Sequence, residues 1–377
     1  MNPEPLADDT AYRSVSSTSF NEILDHVQAS LIVSTYQSGR IVLVRPRTDG
    51  ALNTHFRAFG SPMGVAVGRR SLAIACAREV WDYRNQPDVA PRLDPPGEHD
   101  ACFFPRNVHV TGDMRVHEVA FTGDDELWAV NTQFSSLCTL DDTHSFVPRW
   151  RPRFVSDLAP EDRCHLNGLG MVDGRPRFVT AFGETNTAGG WRENKVGGGV
   201  VMDVDSGETV VRGLCMPHSP RWYDGRFWFL ESGRGTFACA DLATGRVETV
   251  AELPGFTRGL AFCGPFAFIG LSQVRESATF GGIPLVERVP ERECGVWVID
   301  IRSGRPAAFL RFEGQVQEIF DVQVLHGIRC PELFPLAAKE VATLYVVPPP
   351  SALQPSAATR PRARAGSRSA RLRSERA

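Results

Sequence analysis

Five stretches of this chain carry groups that bind metals, protons or anions: His117-Glu118, His165-x-Asn167, His218-Ser219-Pro220-Arg221, Arg258 and Glu318-x-x-Asp321. Imidazole and carboxylate groups converging from separate segments hold a divalent ion at about 2.0–2.2 Å. His117, His165, His218 and Glu318 are therefore the metal-ligand candidates. Asn167, Arg221, Arg258 and Asp321 are candidates for hydrogen-bonding a polar ligand without a metal. A purely structural reading, in which these groups satisfy one another and channel water, stands beside both. The run GETNTAGGWRENK (183–195) adds Glu184, Asn186, Trp191 and Arg192. A rigid aromatic beside charged donors suits a lid over a small molecule or peptide segment; a solvated loop whose Trp caps neighbouring structure is the alternative. Asn131 closes the run LWAVN and completes the set of ligand candidates.

These groups must be positioned by something, and the elements around them repeat. PMGVAVGRRSLAIAC from Pro62, HEVAFTGDDELWAVN from His117, NGLGMVDGRPRFVTA from Asn167, SPRWYDGRFWFLES from Ser219 and RGLAFCGPFAFIGLS from Arg258 share one pattern. Each is a β-type run, a turn containing Gly or Asp, and a second β-type run, which is a hairpin signature. Second hairpins follow in 199–213, 235–253 and 295–312, so each unit has four strands, A to D from the inside outward. A sixth copy is split between FDVQVLHG from Phe320 and SLIVSTYQSGR from Ser30. The spacing of 39 to 55 residues matches the blade of a propeller. The expected fold is all-β, a six-bladed β-propeller over 20–347, with N- and C-terminal strands closing the ring in one blade. A β-sandwich of similar hairpins is the competing architecture, and the split repeat argues against it.

In such a meander the D-to-A and B-to-C links share one face. The A-to-B turns are short, so the long inserts 184–198 and 273–294 fall on the face where the histidines precede or open the A strands. The insert 84–102 is not assignable from sequence. Loops on a rigid scaffold are where binding and catalysis concentrate.

Composition sets the class. The 377 residues carry a formal charge of −3, but 348–377 hold seven Arg against one Glu, leaving a body near −9. This Arg- and Pro-rich tail is expected to be disordered, because it has few apolar residues to fold around. Residues 1–19 read as an acidic N-terminal extension without a secretory h-region. Nine cysteines, no two closer than 24 residues, form no C-x-x-C motif and read as reduced thiols. The expectation is a cytoplasmic protein with no membrane span and no nucleic-acid partner. GGGVV (197–201) lacks the spacing of a dinucleotide fingerprint, and no GxSxG, HExxH or P-loop occurs.

The runs LWAVNTQFSSLCTLD, EDRCHLNGLGM, TAGGWRENK, MPHSPRWYDGRFWFLESGRG, LPGFTRGLAF and VQEIFDVQV resemble a bacterial family of conserved hypothetical proteins, defined as a domain of unknown function. The likeness spans about 30 to 335 and implies no particular activity. At the level of fold the six-bladed plan resembles gluconolactonase- and strictosidine-synthase-like propellers. Lactonases of that type hold a calcium-like ion with carboxylate and Asn oxygens, a role that resemblance would give to Asn167 and Glu318. The added histidines depart from that pattern and favour a transition metal. Two functions are thus expected to compete at the channel mouth. One is binding of a small polar molecule or peptide segment; the other is a metal-dependent hydrolase, lactonase-like, or a transition-metal oxidoreductase.

Overall fold

The structure, a computed structural model, describes residues 11–274 and 281–347. Six small sheets, antiparallel but for one added edge strand, form a ring, the arrangement of a six-bladed β-propeller. Blade I opens with the A strand Val65–Val67, blade II with Val116–Phe121, blade III with Leu166–Val172 and blade IV with Pro217–Tyr223. Blades V and VI open with Phe256–Cys263 and Asp321–His326. Each A strand packs on that of the next blade, and the A strand of blade VI packs on that of blade I. Blade VI is the split repeat: Asp321–His326 pairs with Ala29–Thr35, which pairs with Arg40–Pro46 and that with Leu52–Ala58. Joining the chain ends in one sheet removes the open edge that a linear array would present.

Two further pairings tie the ends down. Ser14–Ser16 adds an edge strand to blade V, so ordered structure reaches back into the segment read as an extension. Pro331–Leu333 runs parallel to Ala101–Val110 at the edge of blade I. The helix Thr18–His26, which hairpin patterning does not reveal, buries Phe20 and Leu24 one turn apart in the core that blades V and VI share. The first ten residues and the tail from 348 lie outside the described residues.

The insert that sequence left unassigned joins the C strand Glu79–Asn85 to the D strand Ala101–Val110. It therefore belongs to the face opposite the histidines. The inserts at 184–198 and 273–294 do join B to C strands, as the repeat register requires.

Between blades the core is apolar. Val130 and Leu137 of blade II meet Leu166, Leu169 and Val179 of blade III. Trp228 stacks on Phe237 and both approach Phe262 of blade V. Near the axis the crowding is met by glycine. A side chain at Gly64 would strike the Glu118 backbone, at Gly168 it would strike Thr180 and Pro220, and at Gly259 it would strike the Asp321 backbone. Blades I, III and V thus supply glycine where blades II, IV and VI supply bulk.

Polar clasps lock this ring. Hydroxyls at the ends of B strands donate to a carbonyl at the opening of the next blade's A strand: Ser34 to Met63, Thr132 to Leu166, Ser232 to Thr257 and Ser272 to Ile319. The side chains of Glu118, Ser219 and Asp321 each accept an N–H from the following blade, at Leu169, Gly259 and Val65 respectively. No helix among the described residues is long and apolar enough to cross a membrane.

Candidate functional site

A cavity of about 350 Å³ opens at the channel mouth, on the face of the D-to-A links. Its wall includes His117, His165, His218, Arg258 and Glu318, so five of the sequence candidates converge from blades II to VI. Tyr36, Phe182, Phe256 and Phe320 supply aromatic walls, and Arg115 stands at the rim.

The histidines do not share one register position. His117 and His218 are equivalent. In each, Nδ1 faces the carbonyl two residues earlier (Arg115 at 3.0 Å, Met216 at 3.2 Å) and a clasp hydroxyl (Thr132 at 2.9 Å, Ser232 at 2.7 Å). The blade III counterpart is Asn167, whose Nδ2 donates to the His165 carbonyl. His165 lies two residues earlier and corresponds to Arg115 and Met216, all three with φ of 51°. That left-handed conformation turns the chain from the D strand into the A strand and swings the imidazole to the mouth.

Both clasp hydroxyls spend their proton on a carbonyl of the next blade, so each accepts from imidazole Nδ1. The Nδ1 of His165 meets the Asp162 carboxylate at 3.1 Å. All three rings therefore carry their proton on Nδ1 and leave Nε2 as the acceptor nitrogen. Burial holds His117 and His218 well below the ordinary imidazole value, and the positive charge of Arg258 adds to the effect. His165 is lowered by burial too, although Asp162 opposes the shift. The cavity thus presents neutral imidazoles.

Arg258 is the cation among them. Its guanidinium lies 3.4 Å over the Phe320 ring and 3.7 Å from Glu318, beyond hydrogen-bond reach. Its side chain is only 11% exposed, and among the described residues it makes no hydrogen bond. Burial lowers its pKa to about 10, still charged at neutral pH. Burial raises the Glu318 carboxyl, against the pull of Arg258. Guanidinium N–H groups taken out of water without acceptors are costly.

The other candidates take different places. Glu118 of blade II and Arg221 of blade IV pair between their A strands, and the charge of Arg221 also acts on the buried Asp321 of blade VI. Arg221 donates to the Leu260 carbonyl at 2.9 Å. Burial pushes the Glu118 carboxyl up to about 7, and Asp321 is also raised by burial. Asn131 is fully buried and accepts from the Phe134 N–H, closing a turn. Asn167 is buried and accepts from Thr180 at 2.6 Å. Glu184 faces outward to Arg212, and Asn186 braces the loop through Ser156 and Arg163.

Trp191 sits in the short 3₁₀ turn Gly190–Asn194 and is 2% exposed. It packs 4.5 Å from the His165 ring, so it backs the site from behind. Arg192 covers the outer face of that indole and approaches Asp162 at 3.9 Å.

Sequence reading missed Asp162, the buried partner of His165, Arg115 and Arg192. It also missed Tyr36, Arg115 and Phe320. Aligning the ends of the B strands would have revealed the clasp hydroxyls, since Ser34, Thr132, Ser232 and Ser272 recur there. Nothing local marks Asp162.

Comparison with known proteins adds the family. No curated protein sequence matches the chain. Among solved structures, a chain of the crystal structure of the Nidogen/Laminin complex is similar over 79% of this chain and 99% of its own, at 9% identity and a TM-score of 0.50. A protein of unknown function from Bacteroides caccae is similar over 79% of this chain and 98% of its own, at 10% identity and a TM-score of 0.48. At such identity the Nidogen/Laminin likeness bears on the fold alone. The family described as a domain of unknown function, DUF4915, matches residues 18–334, from the helix before blade VI to the strap at the edge of blade I. The chain belongs to that family.

Proposed function

We propose that the channel mouth is a binding site for a small polar molecule. The observation that carries this reading is Arg258, a buried guanidinium without a hydrogen bond among the described residues, facing a cavity shared by three neutral imidazoles. A volume of about 350 Å³ lies in the range of small-molecule pockets, which favours a small molecule over a peptide segment. The nine cysteines, none of them in a disulfide, support a reducing, cytoplasmic location. Gluconolactonase-like propellers are an analogy of blade number here, and no residue role is carried over from them.

A metal-dependent enzyme at the same cavity is the alternative. Its support is the tautomer, because imidazoles with Nδ1–H held by an oxygen present Nε2 as metal ligands do. Two observations weigh against it. The Arg258 charge repels a cation, and among the described residues no group of three or more His, Cys, Asp or Glu side chains is placed to hold an ion. Elemental analysis of the purified full chain, with a Zn²⁺ titration by calorimetry, separates the two. Substoichiometric metal and no saturable Zn²⁺ binding are expected. One tightly held ion per chain, lost in both His117→Gln and His218→Gln, would overturn the binding-site reading in favour of the enzyme.

A further inference from the structure

We infer that the ligand is a small carboxylate bearing hydroxyl groups on an apolar or aromatic body. This rests on the binding-site reading and assigns its chemistry. A carboxylate is the acceptor whose geometry matches the edge of a guanidinium, with two parallel N–H···O bonds. Phe320 covers one face of Arg258, and Glu318 at 3.7 Å leaves the guanidinium N–H groups without a close acceptor and open to a ligand in the cavity.

The rest of the molecule is read by the imidazoles. With Nδ1 of His117, His165 and His218 bound to oxygens, each ring offers the cavity an acceptor, and a neutral acceptor selects a donor on the ligand. Hydroxyl groups meet that requirement. A second carboxylate on the ligand would face lone pairs, so a monoanion is favoured. Phe182, Phe256 and Met216 line the same cavity and suit a flat or aliphatic body. Asp113 and Glu318 at the wall, set against Arg115 at the rim, add no net positive field that would select a highly charged ligand.

The test uses matched probes on the full-length protein: 3-hydroxybenzoate, benzoate and 3-hydroxybenzamide. Binding is followed through the ring signals of His117, His165 and His218 by NMR, with dissociation constants from calorimetry. A charge-assisted pair to a buried guanidinium predicts that 3-hydroxybenzoate binds roughly tenfold or more tightly than the amide. Loss of the hydroxyl, as in benzoate, costs roughly threefold to tenfold. In Arg258→Gln the preference for carboxylate over amide falls to near unity. Should that variant not fold, the wild-type ratio still decides. An amide that binds as well as the acid overturns the carboxylate inference and leaves the pocket standing. The same holds if neutral or cationic members of a general fragment library move the three ring signals and carboxylates do not. If no fragment moves them, both the inference and the pocket reading fall.

Discussion

Leu166 and His165 are adjacent, yet the structure assigns them opposite roles, and substituting each in turn tests the register of the whole site. Leu166 is 0% exposed and packed among Val130, Leu137 and Val179 from two blades. Leu166→Ala removes three carbons, about 2.4 kcal/mol at about 0.8 kcal/mol per buried methylene. The flanking sheets are held by ladders on both sides and relax little, so a cavity contribution raises the expected loss to about 3–4 kcal/mol. His165→Asn should behave otherwise. Asn tolerates the φ of 51° found there, and its amide can replace Nδ1–H toward Asp162. What is lost is Nε2 and the ring contacts with Phe182 and Trp191, about 1 kcal/mol. Denaturant unfolding of both variants, with NMR titration of 3-hydroxybenzoate, gives both readouts. Leu166→Ala should bind the probe like wild type while folded, and His165→Asn should bind it several-fold more weakly. A His165→Asn loss equal to or above that of Leu166→Ala would place the imidazole in the core and refute the site as built.

Acid acts on stability in two opposite directions. Histidines held below 6.5 in the folded state oppose proton uptake that the unfolded chain permits, so His117, His165 and His218 cost stability as pH falls below that value. Glu118, raised to about 7 from 4.5, works in the opposite direction over that window, because the folded chain keeps its proton there. Asp321 and Glu318 are raised too and act in the same sense. Glu118→Gln should therefore steepen the loss between pH 7 and pH 5 in denaturant titrations; an unchanged slope counts against a protonated Glu118. Gly168→Ala forces a methyl onto Thr180 and Pro220 at the axis and should cost about 1–3 kcal/mol by thermal or denaturant melting; a neutral result would mean that the A strands are not so close. Glu332 pairs with Arg45 and Arg57 at the closing strap, and its carboxyl is held far below the ordinary range chiefly by His55 and these arginines, against burial. Glu332→Ala should cost about 3 kcal/mol at pH 7, since Arg45 is left buried and unpaired, and the loss should shrink as pH falls below the carboxylate range. A variant that melts like wild type would remove the strap from the account of ring closure.

Much of the architecture was legible because hairpins are local. Alternating apolar runs, Gly- and Asp-containing turns and the GRRS, GDDE, DGRP and DGR links specify strand pairs a few residues apart. The split repeat, Phe320 onward with Ser30 onward, announced ring closure for the same reason: half a blade cannot cover its apolar face. The face carrying the histidines also followed, since link lengths alone decide which turns are plain. Only tertiary structure decided which polar residues meet. Asn131 and Asn167 look like ligand groups in sequence, but their neighbours Phe134 and Thr180 consume them. His165 stands at the junction position of Arg115 and Met216, and only the left-handed backbone those residues share brings its ring to the mouth beside His117. Asp162, which orients His165, has no local signature, because its burial comes from the loop and blade packed around it. The free edge of Arg258 depends on where Phe320 and Glu318 arrive from another blade, more than fifty residues along the chain. Local propensity specifies strands and turns; whether a donor finds an acceptor is a distance between blades, and that distance exists only once the ring has closed.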